Sequence, residues 1–221
     1  MNSASISTRQ RLMDGAVEAI RRYGIAGVSA RTVAGCAGVN QALVFYHFGT
    51  LDELLVAACQ AATAERVADY RDRFAAVRSL SELLDLGREL HEQERQAGNL
   101  AVLAQMLAGA QTDGRLAPAA AAALRLWTDE IELVLRRVLA GSPLAALADP
   151  PGLARAVAAG FVGLELYEGV DRAGADDALA ALEQLAVLVD VVDDLGPVAR
   201  RALQGRLARR SRGRVPPGGR S

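Results

Sequence analysis

The segment from Val28 to Leu55 constrains the fold of this 221-residue chain more than any other. It reads VSARTVAGCAGVNQALVFYHFGTLDELL and places a capping residue wherever a short helix must begin or end. Ser29 can open a helix running to about Cys36, because its hydroxyl accepts a bond from a backbone N–H that the first turn leaves unpaired. Gly38 can end that helix, since glycine reaches positive φ without steric cost. Val39 can pack inward at the turn, Asn40 can cap a second short helix through His47, and Thr50 and Asp52 can open a third. Helix, glycine-containing turn, helix is the arrangement that sets a recognition helix in the major groove of DNA.

The rest of the chain reads as helical too. Alanine, leucine and arginine are abundant, strong β-formers never alternate over a strand length, and aromatics make up only 4% of residues. The expected helices are Thr8–Tyr23, Thr50–Ala76, one opened by a Ser79-x-x-Glu82 capping box, Leu100–Gln111, and a long one after Asp113-Gly114 through Leu139. The Ser79 helix is expected to carry Leu80, Leu84, Gly87 and His91 on one face. Leu124, Trp127, Ile131, Val134 and Val138 form an apolar stripe at helical period in the long helix. Gly141-Ser142-Pro143 ends it, and Asp149-Pro150 opens a helix to about Glu168. Asp176 or Asp177 starts another to Asp193, and Pro197–Arg210 forms a short last one.

Charge is strongly segregated. Residues 1–48 hold five arginines against Asp14 and Glu18, residues 49–199 hold 12 arginines against 24 acids, and residues 200–221 hold eight arginines and no acid. A positive head on an acidic body favours approach to phosphates by one face. No lysine occurs anywhere in the chain. Cys36 and Cys59 lack metal-ligand spacing and read as small buried hydrophobes. No signal-peptide pattern opens the chain, and the longest uncharged run, 96–112, is too short for a membrane span, so a cytoplasmic location without membrane contact is expected.

From Thr8 to Leu55 the chain resembles the N-terminal domain of the TetR family of regulators. The resemblance is carried by the helix Thr8–Tyr23, then Gly24-Ile25-Ala26-Gly27-Val28-Ser29, Arg31-Thr32-Val33-Ala34, Ala37-Gly38-Val39, Phe45-Tyr46-His47-Phe48 and Asp52-Glu53-Leu54-Leu55. It implies an all-α fold. Residues 1–49 would form a three-helix helix-turn-helix DNA-binding domain, 50–199 a ligand-binding and dimerisation domain, and 200–221 an arginine-rich, flexible tail. Two positions depart from the family pattern. Phe45 stands where a tyrosine commonly offers a hydroxyl to phosphate, and Leu51 where a lysine commonly does. Arg9, Arg11 and the arginine-rich tail are candidates to compensate.

Position along the motif selects the DNA contacts. Asn40, Gln41, Ala42, Leu43 and Tyr46 open or line the recognition helix. Gln41 can bond an adenine edge bidentately, and Ala42 or Leu43 can pack on a thymine methyl. Arg31, Thr32, His47 and the helix start at Thr50 match family positions that hold phosphates. Val44 and Phe48 are expected in the head's core with Val33 and Leu12. The resemblance also implies an effector cavity among the middle helices, for which Tyr70, Phe74, His91, Gln105, Met106, Trp127, Phe161 and Tyr167 are candidates. Their character suits a lipophilic small molecule. Helices 100–111 and 153–167, apolar on every side, should be buried between others.

Helices 153–168 and 177–193 match the pair through which family members dimerise. Ala156, Gly160 and Gly163 would allow close approach, and Leu182, Leu185, Val189 and Val192 would supply an apolar stripe. A homodimer would present two reading helices to a near-palindromic operator in double-stranded DNA. The expected function is therefore a ligand-responsive transcriptional regulator, a repressor by resemblance. The competing readings are a helical protein-binding adaptor and a small-molecule enzyme. Asp190-x-x-Asp193-Asp194 loosely resembles magnesium-binding clusters of helical terpenoid enzymes, but it falls at a helix end and reads as a solvated face. No catalytic triad or glycine-rich phosphate loop stands out, so no catalytic residue, metal or cofactor is expected.

Overall fold

The computed structural model describes residues 7–212 apart from 115, 141, 143, 146, 147 and 194. Among them the chain is all-α, with no strand. The helices are α1 (Thr8–Tyr23), α2 (Ala30–Ala37), α3 (Ala42–Phe48), α4 (Leu51–Ala76), α5 (Leu80–Gln96), α6 (Asn99–Thr112), α7 (Ala117–Leu139), α8 (Pro150–Glu168), α9 (Arg172–Asp193) and α10 (Pro197–Arg212), with a 3-10 turn at Ile25–Gly27 after α1. The expected breaker residues Gly141 and Pro143 lie outside the described residues. No single helix among the described residues is long and apolar enough to cross a membrane.

Contacts divide the chain into two units. The first comprises the residues up to Arg71 together with Glu89–Trp127, and the second Asp72–Arg88 together with Thr128 onward. The first is built around the head. Leu12, Ala16 and Ile20 from α1 meet Val33 from α2, Val44 and Phe48 from α3, and Leu54, Leu55 and Ala58 from α4. Val102 and Met106 from α6 and Leu116 close the same cluster. Burying each large aliphatic side chain here contributes about 1.5–3 kcal/mol. The thiol of Cys59 belongs to this core, and burial pushes it up to about 11.

Helices α1 and α2 touch at backbone distance. A Cβ added at Gly15 would stand 2.8 Å from Ala37 Cβ and 2.9 Å from both Ala37 N and Val33 O. Nothing larger than glycine fits between the two helices at that level.

In the second unit, α8 and α9 pack on each other, burying Ala154 and Ala158 of α8 and Ala175 of α9. Arg137 donates to the carbonyls of Phe74 at 2.7 Å and Val77 at 3.0 Å, which satisfies the open C-terminus of α4. Contrary to expectation, α8 is not buried on every side. Leu153, Ala156, Gly160, Gly163, Leu166 and Tyr167 are exposed, because α9 covers only its alanine face.

Three further differences from the sequence reading have local causes. Helix α9 begins at Arg172 rather than Asp177, because Asp171 Oδ1 accepts the Gly174 N–H at 3.0 Å and caps the helix early. The buried face of α5 is Leu83, Leu86, Leu90 and Glu94, one register from the expected stripe, although His91 is buried as well. The last helix expected over Pro197–Arg210 is present as Pro197–Arg212, so the tail expected to be flexible is helical over its first part; Arg214 and Arg220 lie outside the described residues.

Substituting Gly15 with alanine tests the backbone contact. Helix propensity alone would favour the change by about 0.5–1 kcal/mol, whereas overpacking costs about 1–3 kcal/mol. Gly15→Ala is therefore expected to lower the melting temperature, read by thermal denaturation; an unchanged or raised value would mean that α1 and α2 do not meet there.

Candidate nucleic-acid interface

Each turn of the helix-turn-helix is closed by its own side chains. Ser29 Oγ accepts the Thr32 N–H at 3.1 Å, and Thr32 Oγ1 accepts the Ser29 N–H at 2.8 Å, a reciprocal capping box that starts α2. Gly38 ends α2 at φ 62°, and the Val39 N–H returns to Ala34 O at 3.0 Å. The last carbonyls of α2 find a donor from far along the chain. Arg11 Nη2 lies 2.9 Å from both Ala37 O and Gly38 O, so it holds the turn onto α1.

Beyond the turn, Asn40 Oδ1 accepts the Ala42 N–H at 2.8 Å, so Asn40 shapes the turn into α3 although Gln41, one residue later than expected, is the cap. Val44 and Phe48 are buried with Leu12 and Val33, which turns the other side of α3 outward. Gln41 and Ala42 are exposed, Tyr46 is 81% exposed, and Phe45 is 50% exposed. Tyr46 and His47 meet edge to face with ring centroids 5.0 Å apart. Leu43 is half-buried against the core. Of the expected base-reading set, Asn40, Gln41, Ala42 and Tyr46 thus share an open surface, and Leu43 is largely spent on packing.

The expected phosphate contacts divide. Arg31 is exposed, and no side chain among the described residues pairs with it. It lines a shallow cleft with Arg22, Tyr23, Thr32, Gly35 and Cys36. His47 is half-buried. The Thr32 hydroxyl is already engaged in its capping box. At Thr50 the backbone N–H donates to Glu53 Oε2 at 3.1 Å, while Thr50 Oγ1 accepts the Glu53 N–H at 3.1 Å. Thr50, not Asp52, is the cap, and its N–H is committed to a carboxylate rather than left open for a phosphate.

The compensating arginines are also committed. Arg11 caps α2, and the Arg9 guanidinium lies 4.7 Å from the centre of the Phe48 ring. Arg21 and Arg22 both pair with Glu18, and the bond from Arg22 holds the Glu18 carboxyl below its ordinary range. Leu51 packs against the core. The sequence reading missed Phe45 as exposed apolar surface beside Tyr46. It also missed Glu53, although Thr50-x-x-Glu53 is a legible capping box.

The candidate effector residues do not fall into one unit. Tyr70, His91, Gln105, Met106 and Trp127 lie in the first, and Phe74, Phe161 and Tyr167 in the second. Tyr70 and His91 are buried, with the Tyr70 and Trp127 rings 6.0 Å apart. Phe74 is buried, Phe161 half-buried and Tyr167 exposed. Gln105 and Met106 serve a different purpose from the one expected. Gln105 Oε1 accepts the Ile25 N–H at 2.7 Å, and Met106 belongs to the head's core, because α6 packs against α1 and the 3-10 turn.

Comparison with known proteins converges on the same head. The profile of the bacterial regulatory proteins, tetR family, matches residues 12–58. The chain is 40% identical over 67 residues to the HTH-type transcriptional regulatory protein RaaS of Mycobacterium tuberculosis, a match over 30% of this chain and 31% of that one. It thus spans about a third of that relative's length. Among solved structures, a Rhodococcus sp. protein assigned to the TetR-family transcriptional regulators aligns with a TM-score of 0.68 at 24% identity, covering 82% of this chain and 97% of that one. The multidrug binding protein EbrR, complexed with imidazole, aligns with a TM-score of 0.57 at 27% identity, covering 80% and 96%.

Proposed function

We propose that the chain is a regulator of the tetR family, whose profile matches residues 12–58, and that it acts as a homodimeric repressor that binds a near-palindromic operator and leaves it on binding a lipophilic small molecule. The observation that carries this reading is the outward face of α3. Gln41, Ala42, Phe45 and Tyr46 stand open on a helix fixed from behind by Val44 and Phe48. A short helix presenting an amide, a methyl and two rings to solvent gains nothing for folding, but it offers hydrogen bonds and apolar contact to base edges. Arg31 is the phosphate contact, with His47 beside it; Thr32 and Thr50 act on DNA by setting their helices. An adaptor function would leave this face and the positive head without a role.

Dimerisation rests on α8 and α9. Leu182 and Leu185 are exposed, as are Leu188 and Val191, which continue the stripe. Val192 is half-buried, and the side chain of Val189 lies outside the described residues. A Cβ added at Gly160 or Gly163 would meet nothing within 4 Å, so the chain's own packing does not require glycine there. Both fit the close approach of a second copy, which would cover the apolar surface left on α8 and α9.

For the effector, Tyr70 and Trp127, whose rings lie 6.0 Å apart, supply aromatic surroundings within the first unit. EbrR has been solved with imidazole and with proflavin. A flat, largely apolar molecule is the class proposed here. Release of the operator follows if that molecule favours a separation of the two heads that no longer matches successive grooves.

Selection of bound duplexes from a random pool at moderate salt is expected to return a near-palindromic consensus. The Gln41→Ala, Tyr46→Ala double variant is expected to lose at least about tenfold in affinity for it, since a bidentate base contact contributes about 1–3 kcal/mol. No enrichment, or unchanged binding by the variant, would refute the assignment. Leu185→Arg is expected to convert a dimer to a monomer in sedimentation velocity; a variant that still sediments as the dimer would place the interface elsewhere.

A further inference from the structure

The first unit contains a line of polar side chains that packing alone does not call for. Glu94 on α5 is only 4% exposed, yet among the described residues no cation lies within ion-pair distance of it. Its two oxygens face neutral donors instead. Oε1 is 3.1 Å from the Tyr70 hydroxyl on α4, and Oε2 accepts from Asn99 Nδ2 on α6 at 2.7 Å. Asn99 in turn uses Oδ1 to accept from Arg21 Nη2 on α1 at 3.2 Å. Four side chains on four helices thus connect the aromatic pair Tyr70–Trp127 to the end of α1.

We propose that Tyr70, Glu94, Asn99 and Arg21 form a relay that makes the position of the head depend on the hydroxyl of Tyr70. The proposal deepens the effector reading and rests on it. A buried carboxylate served only by neutral donors needs each of them, because no countercharge stands in for a lost bond. Its supply from Tyr70 is contestable. That hydroxyl has one proton and lies 2.8 Å from Gln93 Oε1 as well as 3.1 Å from Glu94. A small molecule stacked against Tyr70 and Trp127 that takes the hydroxyl for itself leaves Glu94 dependent on the Asn99 amide.

Asn99 is the first residue of α6, directly after Gly98 in the left-handed region at φ 73°. A shift there moves the helix that ties down the head. Two bonds contribute to that tie, Arg21 to Asn99 and the Ile25 N–H to Gln105, with Met106 part of the head's core. Arg21 holds Glu18 through Nη1 at 3.0 Å while Nη2 serves Asn99, so losing Asn99 would still leave it one partner. A coupling element needs a second arrangement, and loss of the Arg21–Asn99 bond with Glu18 still held is the one the geometry allows. By reciprocity, an event that fixes the head also changes the surroundings of Tyr70.

The test needs neither operator nor effector. Amide hydrogen exchange at Ile25 in the full-length protein reports the tie between α6 and the 3-10 turn. Tyr70→Phe removes only the distant hydroxyl and is expected to speed exchange at Ile25 by about fivefold or more. In an Asn99→Ala background the same change is expected to add nothing, because the line is already cut. Glu94→Gln, which keeps the shape but turns one acceptor into a donor, is expected to act like Tyr70→Phe. Amides of Val33 and Val44 in the head's core should keep their wild-type rates. The proposal is overturned by an unchanged rate at Ile25 in Tyr70→Phe or Glu94→Gln. It is equally overturned by an equal increment in both backgrounds, or by uniform acceleration of all head amides. Failure of the duplex selection would instead refute the DNA-binding reading, and the exchange rates would stand apart from it.

Discussion

The head depends on one close approach, that of α2 to α1 at Gly15. With no side chain at that position, the backbone of α1 lies against Ala37 and the carbonyl of Val33. That distance lets Arg11 reach the last carbonyls of α2 and hold the turn at Gly38. The turn then sets the direction in which α3 begins, and Val44 and Phe48 lock α3 by its inner side. What α3 shows to solvent follows from this sequence of constraints. Gln41 and Tyr46 point outward because everything behind them is fixed.

Arginine does most of its work in this head as a hydrogen-bond donor to the protein. Arg11 closes a helix, Arg9 covers an aromatic ring, and Arg21 and Arg22 share Glu18. Arg31 is left exposed. The head's positive charge would act as a field that steers a polyanion, while four of its five arginines are engaged within the protein. The body shows a related economy: Arg137 closes α4, and Glu94 is buried among neutral donors rather than paired.

What could be read from the sequence was whatever local chemistry decides. The ends of α1, the Ser29 cap and the stop at Gly38 all involve partners within a few residues, and the structure reproduces them, while Asn40 closes the turn one residue before the Gln41 cap of α3. Val44 and Phe48 were legible as core because spacing on a short helix leaves no alternative. The start of α9 escaped notice because Asp171 and Asp176 are equally good caps on paper. The burial of Glu94 was not legible, since a carboxylate on an amphipathic helix is ordinarily solvated and its donors, Tyr70 and Asn99, come from other helices. Gln105 and Met106 were misplaced for the same reason: their partners lie about 80 positions away in the chain, at Ile25 and in the head's core. The roles of Arg9 and Arg11 likewise depend on contacts that no spacing rule contains.

The claim that residues 29–50 form the surface that reads DNA is tested most directly by amide hydrogen exchange with and without a selected duplex. The account predicts protection concentrated in the turn and α3, from Asn40 to Thr50, and around Arg31, at a stoichiometry of two chains per duplex. Protection confined to other helices, with 29–50 unchanged, would contradict it.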